Sequence, residues 1–285
     1  MASGFHELMR RVEQPNAEQR AAYVRLQRLL AARRNSSAPK SNAQSLLDQL
    51  ARLHELYPAG MLDPKWVTEV RGDGAEGRAP RHREQMIQEA QARLSCSALD
   101  ALLSNSHYGQ LWDHVLTVLG HTDLVPAIQL KKPKSLHNDQ LRPLALAVRE
   151  LLYGTATYEQ RFDRYLGALA EVFGEPARWE LATALSAVVH PAQHVCVHLM
   201  PFRQQLKATG TRGSAGARAS SADYARFLGV ARLVANKLAE QGEVPRDLLD
   251  VHDFIRITQK PATKARTVSK KISAARVLAQ PSAEN

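Results

Sequence analysis

Cysteine is nearly absent: Cys96 and Cys196 are the only two in 285 residues. Two thiols build neither a disulfide framework nor a four-thiolate zinc site, and they fit a reducing, cytoplasmic compartment. Aromatic residues are scarce too, 6% of the chain, while alanine and leucine abound, a bias toward helix. No run approaches the roughly 18 apolar residues of a membrane span. The opening MASGFHELMRR also lacks the roughly 7–15-residue apolar stretch of a secretory leader. Motifs that announce chemistry are missing as well. There is no GxxxxGK[ST] phosphate cradle, no GxGxxG after a strand, no GxSxG and no HExxH. The reading is therefore of a protein that is not an enzyme and uses no cofactor.

What the chain has is positive charge. Lys and Arg number 38 against 28 Asp and Glu, a net +10 with a pI near 9.8, which points to polyanionic partners. With 44% hydrophobic and 23% charged residues the chain is globular rather than wholly disordered.

Periodicity near 3.6 residues predicts helices over 17–34, 42–57, 64–70, 82–94, 98–104, 107–119, 143–153, 158–173, 176–189 and 222–241. A further short helix begins at Pro245. Thr157-x-x-Gln160 reads as a capping box, Gly154 and Gly174 as helix stops, and Pro176 as a first-turn proline. The period changes at His194-Val-Cys-Val-His-Leu-Met200, which has the β-branched look of a strand, and 253–258 is its candidate partner. Glycine-rich 71–82 reads as a linker, basic 131–139 as a loop and Gly/Ser/Ala-rich 208–221 as a flexible loop. The expected fold is mainly α, an irregular multi-helix domain with a small two-stranded β ribbon at most. Its expected organisation is an N-terminal basic helical region 1–70, a main helical domain 82–258 and a disordered basic tail 259–285.

The candidate site follows the charge. Arg256, Lys260, Lys264, Arg266, Lys270, Lys271 and Arg276 stand in a stretch with no acidic residue and suit phosphate neutralisation without base readout. Arg33 and Arg34, at the end of the basic N-terminal helix, extend the set, although arginine there also suits the helix dipole. The tail carries no aromatic stacking platform of the kind single-strand binders use.

Two other constellations compete with bland readings. His190, His194 and His198 are spaced four apart around Cys196, but Pro191 breaks the register that a shared helical face needs, so no joint zinc site is expected. Asp247, Asp250 and Asp253 with His252 form an acidic cluster in which Asp247 and Asp250, on one helical turn, suit Mg²⁺; Asp247 at a helix start is explained by the dipole alone. The expectation is no metal and no catalytic residue.

Several short elements carry a resemblance. Leu151-Leu-Tyr-Gly154, Arg161-Phe162, Pro191-x-x-His194 and Pro245-Arg-Asp-Leu-Leu-Asp-Val251 with Phe254-Ile255 resemble an uncharacterised family of helical bacterial proteins. This sequence departs from that pattern at His198-Leu-Met200 and at Arg256. The resemblance covers about residues 110–258 and implies one folded unit there, with His194 and Asp250 as structural landmarks and no activity. The functional expectation is a nucleic-acid-binding or nucleic-acid-associated accessory protein that contacts phosphates through basic termini. The alternative is a helical protein–protein interaction or adaptor module whose tail only solubilises it.

Overall fold

The computed structural model describes residue 24 and residues 45–130, 136–211, 213 and 215–259. Among the described residues from 45 onward there are eleven α-helices and no strand. They are α1 (Leu46–Leu56), α2 (Pro64–Trp66), α3 (Arg83–Arg93), α4 (Cys96–Ser104), α5 (Tyr108–Gly120), α6 (Arg142–Tyr153), α7 (Tyr158–Phe173), α8 (Trp179–Val189), α9 (Leu199–Ala208), α10 (Ser221–Glu240) and α11 (Leu248–Thr258). α2 runs into a π-turn, Val67–Arg71, and single 3₁₀ turns lie at Gly60–Leu62, Ala127–Leu130 and Asn138–Leu141. None of these helices is long and apolar enough to cross a membrane.

α8 is the centre. Its sequence, WELATALSAVV, is apolar or small on every side, and every residue but Glu180 is buried. A helix without a polar face has to be surrounded. α3, α5, α6 and α11 surround it, and α6 pairs most extensively with α7. α11 is enclosed almost as fully and also touches α1, α9 and α10. The hydrophobic core is one cluster running from Leu50 to Ile255.

Local chemistry sets the helix ends. Thr157 caps α7, its Oγ1 accepting from Gln160 N–H at 3.4 Å, and Gly174 closes it at φ 71°. Ser95 caps α4, so that helix starts at Cys96, two residues before the expected 98. α8 begins at Trp179, so Pro176 lies outside its first turn.

The expected ribbon does not form. Residues 194–198 form no strand; 194–197 are buried, and two of their backbone donors bond to side chains, Val195 N–H to Tyr224 Oη at 3.3 Å and Val197 N–H to Thr183 Oγ1 at 2.8 Å. Phe254-Ile-Arg-Ile-Thr258 is the second half of α11, because Asp247 nucleates the helix by accepting from Leu249 and Asp250 N–H at 2.8 and 3.2 Å. Within the expected flexible loop, Ala215 and Gly216 are stitched down. Ala215 is buried and its carbonyl accepts from Arg203, while Trp179 Nε1 donates to Gly216 O at 3.2 Å. Residues 71–82 do not separate one core from another. Arg71 at one end and Arg83 just past the other are both buried, and Gly72, at φ 81°, lies directly against His82.

Candidate functional site

Of the expected phosphate-contacting residues, only Arg256 lies among the described ones. Lys260, Lys264, Arg266, Lys270, Lys271, Arg276, Arg33 and Arg34 lie outside them. Arg256 is not a free cation: its Nη2 is 2.7 Å from Asp123 Oδ2, and its side chain is only 22% exposed. The other oxygen of Asp123 takes Arg83 Nη1 at 2.7 Å.

Arg83 is the hinge of a buried ionic network. Its Nε and Nη2 fork onto Asp253 of α11, both at 2.7 Å. Burial pushes the Asp253 carboxyl up, but Arg83 outweighs it and holds the group below the usual range. Next to it, Arg71 forks onto Asp247 at 2.9 and 3.2 Å, with Asp250 at 3.5 Å and Glu84 at 3.4 Å. Asp250 also accepts from Trp66 Nε1 at 3.4 Å and from Arg246 N–H at 2.8 Å. Three carboxylates thus share one guanidinium. Burial, reinforced by Asp247 and only partly offset by Arg71, pushes Asp250 up to about 6. All three aspartates of the acidic cluster are therefore occupied in fastening α11 to α2, its π-turn and α3. Among the described residues no three His, Cys, Asp or Glu side chains converge as metal ligands.

The three histidines diverge. His190 Nε2 meets Leu152 O at 3.1 Å, and His198 Nε2 meets Leu124 O at 2.9 Å. His194 Nδ1 meets Tyr224 Oη at 3.2 Å and stacks on Tyr158 at 4.1 Å. Burial depresses His194 to about 3, so it stays neutral. Tyr158 Oη donates to Ser186 Oγ at 2.8 Å, yet Ser186 is fully buried and presents nothing to a substrate. Burial pushes the enclosed Cys196 thiol up to about 12, far from a reactive thiolate.

The seam between the first and last described helices was not legible in sequence. Thr258 Oγ1 donates to Gln49 Oε1 at 3.1 Å, Arg52 Nε donates to Ile257 O at 3.3 Å, and Gln259 Nε2 donates to Gln205 Oε1 at 2.8 Å. Alongside lies a cleft of about 220 Å³ between α1, α9 and α10, lined by Leu46, Gln205, Thr209, Val234 and Lys237 among others. Buried glutamines at irregular spacing carry no periodic signal; only the partner gives each its meaning.

The charge itself is partitioned. Residues 45–259 contain 24 Lys and Arg and 24 Asp and Glu and are formally neutral. Residues 1–44 hold eight cations against three acids, and residues 260–285 hold six against one. The whole +10 belongs in equal halves to the two flanking segments. No family model, curated protein or solved structure matches the chain.

Proposed function

We propose that this is a non-enzymatic nucleic-acid-binding accessory protein of the cytoplasm that contacts phosphates without base readout through residues 1–44 and 260–285. The observation that supports it is the partition of charge: a formally neutral 45–259 flanked by two segments of net +5 each. Each lysine or arginine placed on a phosphate releases a counterion, so affinity rises with cation count and falls steeply with salt. The absence of aromatics between the tail lysines suits backbone contact rather than base stacking. Arg256, held by Asp123, drops out of the contacting set; Arg33, Arg34, Lys260, Lys264, Arg266, Lys270, Lys271 and Arg276 remain in it.

The test is a salt series of binding to random duplex DNA, single-stranded DNA and RNA, with the full chain and a chain truncated after Gln259. Truncation removes six cations. If three or four of them sit on phosphates, the slope of log K against log salt flattens by about 3 on duplex, with no change between base sequences. Equal slopes before and after truncation exclude the tail.

A second reading has one observation behind it. Leu62 and Val244 are 69% and 62% exposed, and their neighbours Met61 and Glu243 are joined by a 2.9 Å hydrogen bond. That apolar surface suits an interaction or adaptor module with a solubilising tail, and no nucleic-acid binding at low salt favours it.

A further inference from the structure

We infer that the cleft between α1, α9 and α10 is a binding site for a small carboxylate with an apolar body, a role separate from the nucleic-acid reading above. Its walls are largely apolar: Leu46 on α1, Ala208 on α9, and Leu233 and Val234 on α10. Leu233 is 39% exposed, and Leu46 and Ala208 are only partly buried, so apolar surface stays open to water there. A ligand that covers this surface gains a hydrophobic contribution that the fold itself leaves unused. The volume sets its size. A cavity of about 150 Å³ takes a benzene, so one of about 220 Å³ suits a ligand of about nine non-hydrogen atoms.

The polar groups of the cleft choose the head group. Gln205 of α9 is fully buried, and its Oε1 accepts from Gln259 Nε2 at 2.8 Å. That bond leaves Nε2 as the unused end of the amide, and Nε2 has no hydrogen-bond partner among the described residues. A buried donor without an acceptor is a standing cost, which an incoming oxygen relieves. Lys237 of α10 brings the second donor. Its side chain is 49% exposed and pairs, among the described residues, with Glu240, itself 60% exposed, at 3.3 Å. An ion pair so open to solvent contributes little and yields to a competing anion. Thr209 adds no demand, since its Oγ1 already bonds to Gln205 O at 3.0 Å and to Thr211 Oγ1 at 2.9 Å. No carboxylate stands among the described residues that line the cleft. The groups in need of a partner are thus both donors, one of them charged. An acceptor answers both, and an anionic one answers best, because a charge-assisted hydrogen bond is about twice as strong as a neutral one. A protonated amine finds nothing to pair with.

The experiment titrates the full chain by calorimetry with hexanoate, and with hexylamine as the apolar body of opposite charge, at constant ionic strength. Saturable binding of one hexanoate per chain is expected, with Kd of about a millimolar or below, and hexylamine should bind at least about tenfold more weakly. Lys237→Gln removes the charge at an exposed position and should weaken hexanoate about tenfold, while Lys237→Arg should stay within about threefold of the wild type. Ala208→Phe puts a ring into the cleft and should abolish binding. Neither Lys237 nor Ala208 belongs to the hydrophobic core, so unchanged circular dichroism is expected of all three variants. A full chain that takes up no hexanoate at about 10 mM overturns the site, as does equal affinity for hexylamine. Wild-type affinity in either Lys237→Gln or Ala208→Phe overturns it too, since the cleft then does not hold the hexanoate. None of these outcomes bears on nucleic-acid binding, which the salt series tests separately.

Discussion

Arg83 and Asp253 are both shut off from water, and each satisfies the other with two bonds of 2.7 Å. Such a pair contributes less through its own attraction than its rupture costs, since removing one partner strands the other as a buried charge. Arg83→Met is expected to destabilise the protein by about 3–5 kcal/mol in urea unfolding, and adding Asp253→Leu should recover some of that loss. If the double variant is as unstable as the single, the cost lies in packing rather than in the stranded carboxylate. Acid sensitivity is set by groups of opposite sign. His194 and His252 are each depressed by burial to about 3, so the folded state resists the proton that the unfolded chain accepts near 6.5. Their contribution is present above 6.5 and is lost as pH falls toward 3. Asp250 runs the other way. Raised from 3.8 to about 6, it contributes most below 3.8, and that contribution is lost as pH rises through 6. Two histidines outweigh one carboxyl, so stability should fall between pH 6.5 and 4. Asp250→Asn removes the opposing group and should make that fall steeper. A variant with the wild-type slope over this window would show that Asp250 titrates normally.

At the scale of elements, two glycines with the same backbone angle separate strain from contact. Gly174 has φ 71° with nothing near the place a Cβ would occupy, and Gly60 has φ 66° with the Glu243 carboxylate in that place. Gly174→Ala should therefore cost only left-handed strain, about 1 kcal/mol. Gly60→Ala has to displace Glu243, whose oxygens hold Met61 N–H at 2.9 Å and His54 at 3.0 Å, and should cost at least about twice as much. Thermal melts that rank the two equally would mean that Glu243 moves aside freely. The same contrast between local and distant causes decides what could be read from the sequence. α7 was legible to the residue, 158–173, because its cap, its stripe from Tyr158 to Phe173 and its closing glycine are all local. α11 was misread where Phe254-Ile-Arg-Ile alternates like a strand. The alternation is accidental: Arg256 reaches sideways to Asp123, and both faces of the helix are enclosed. The glycines of 71–82 marked a turn correctly, but not that Arg71 would reach Asp247 across 176 residues. The basic segments were legible as composition. That α1 would meet α11 was not, since it depends on which glutamine meets which.

At the scale of the molecule, fold and charge divide cleanly along the chain. Every buried core residue among those described lies between Leu50 and Ile255, and the bonds at Gln49 and Gln259 close that unit. A fragment of residues 45–259 should consequently keep its helical spectrum and melt within about 4 °C of the full chain, since a change of about 1 kcal/mol moves a domain of this size by that much at most. Its surface behaviour should change completely. With 24 charges of each sign it has no net attraction for a cation exchanger that holds the full chain, whose pI is near 9.8. The cut has to fall after Gln259. Ending two residues earlier removes the Thr258 hydroxyl from Gln49 and the Gln259 amide from Gln205, and leaves both partners buried without those bonds. That shorter fragment should lose about 2 kcal/mol or more, the cost of orphaned polar groups in a closed interior. Melting curves of the two fragments side by side decide the matter. If they coincide, the glutamine seam does not hold α1 to α11.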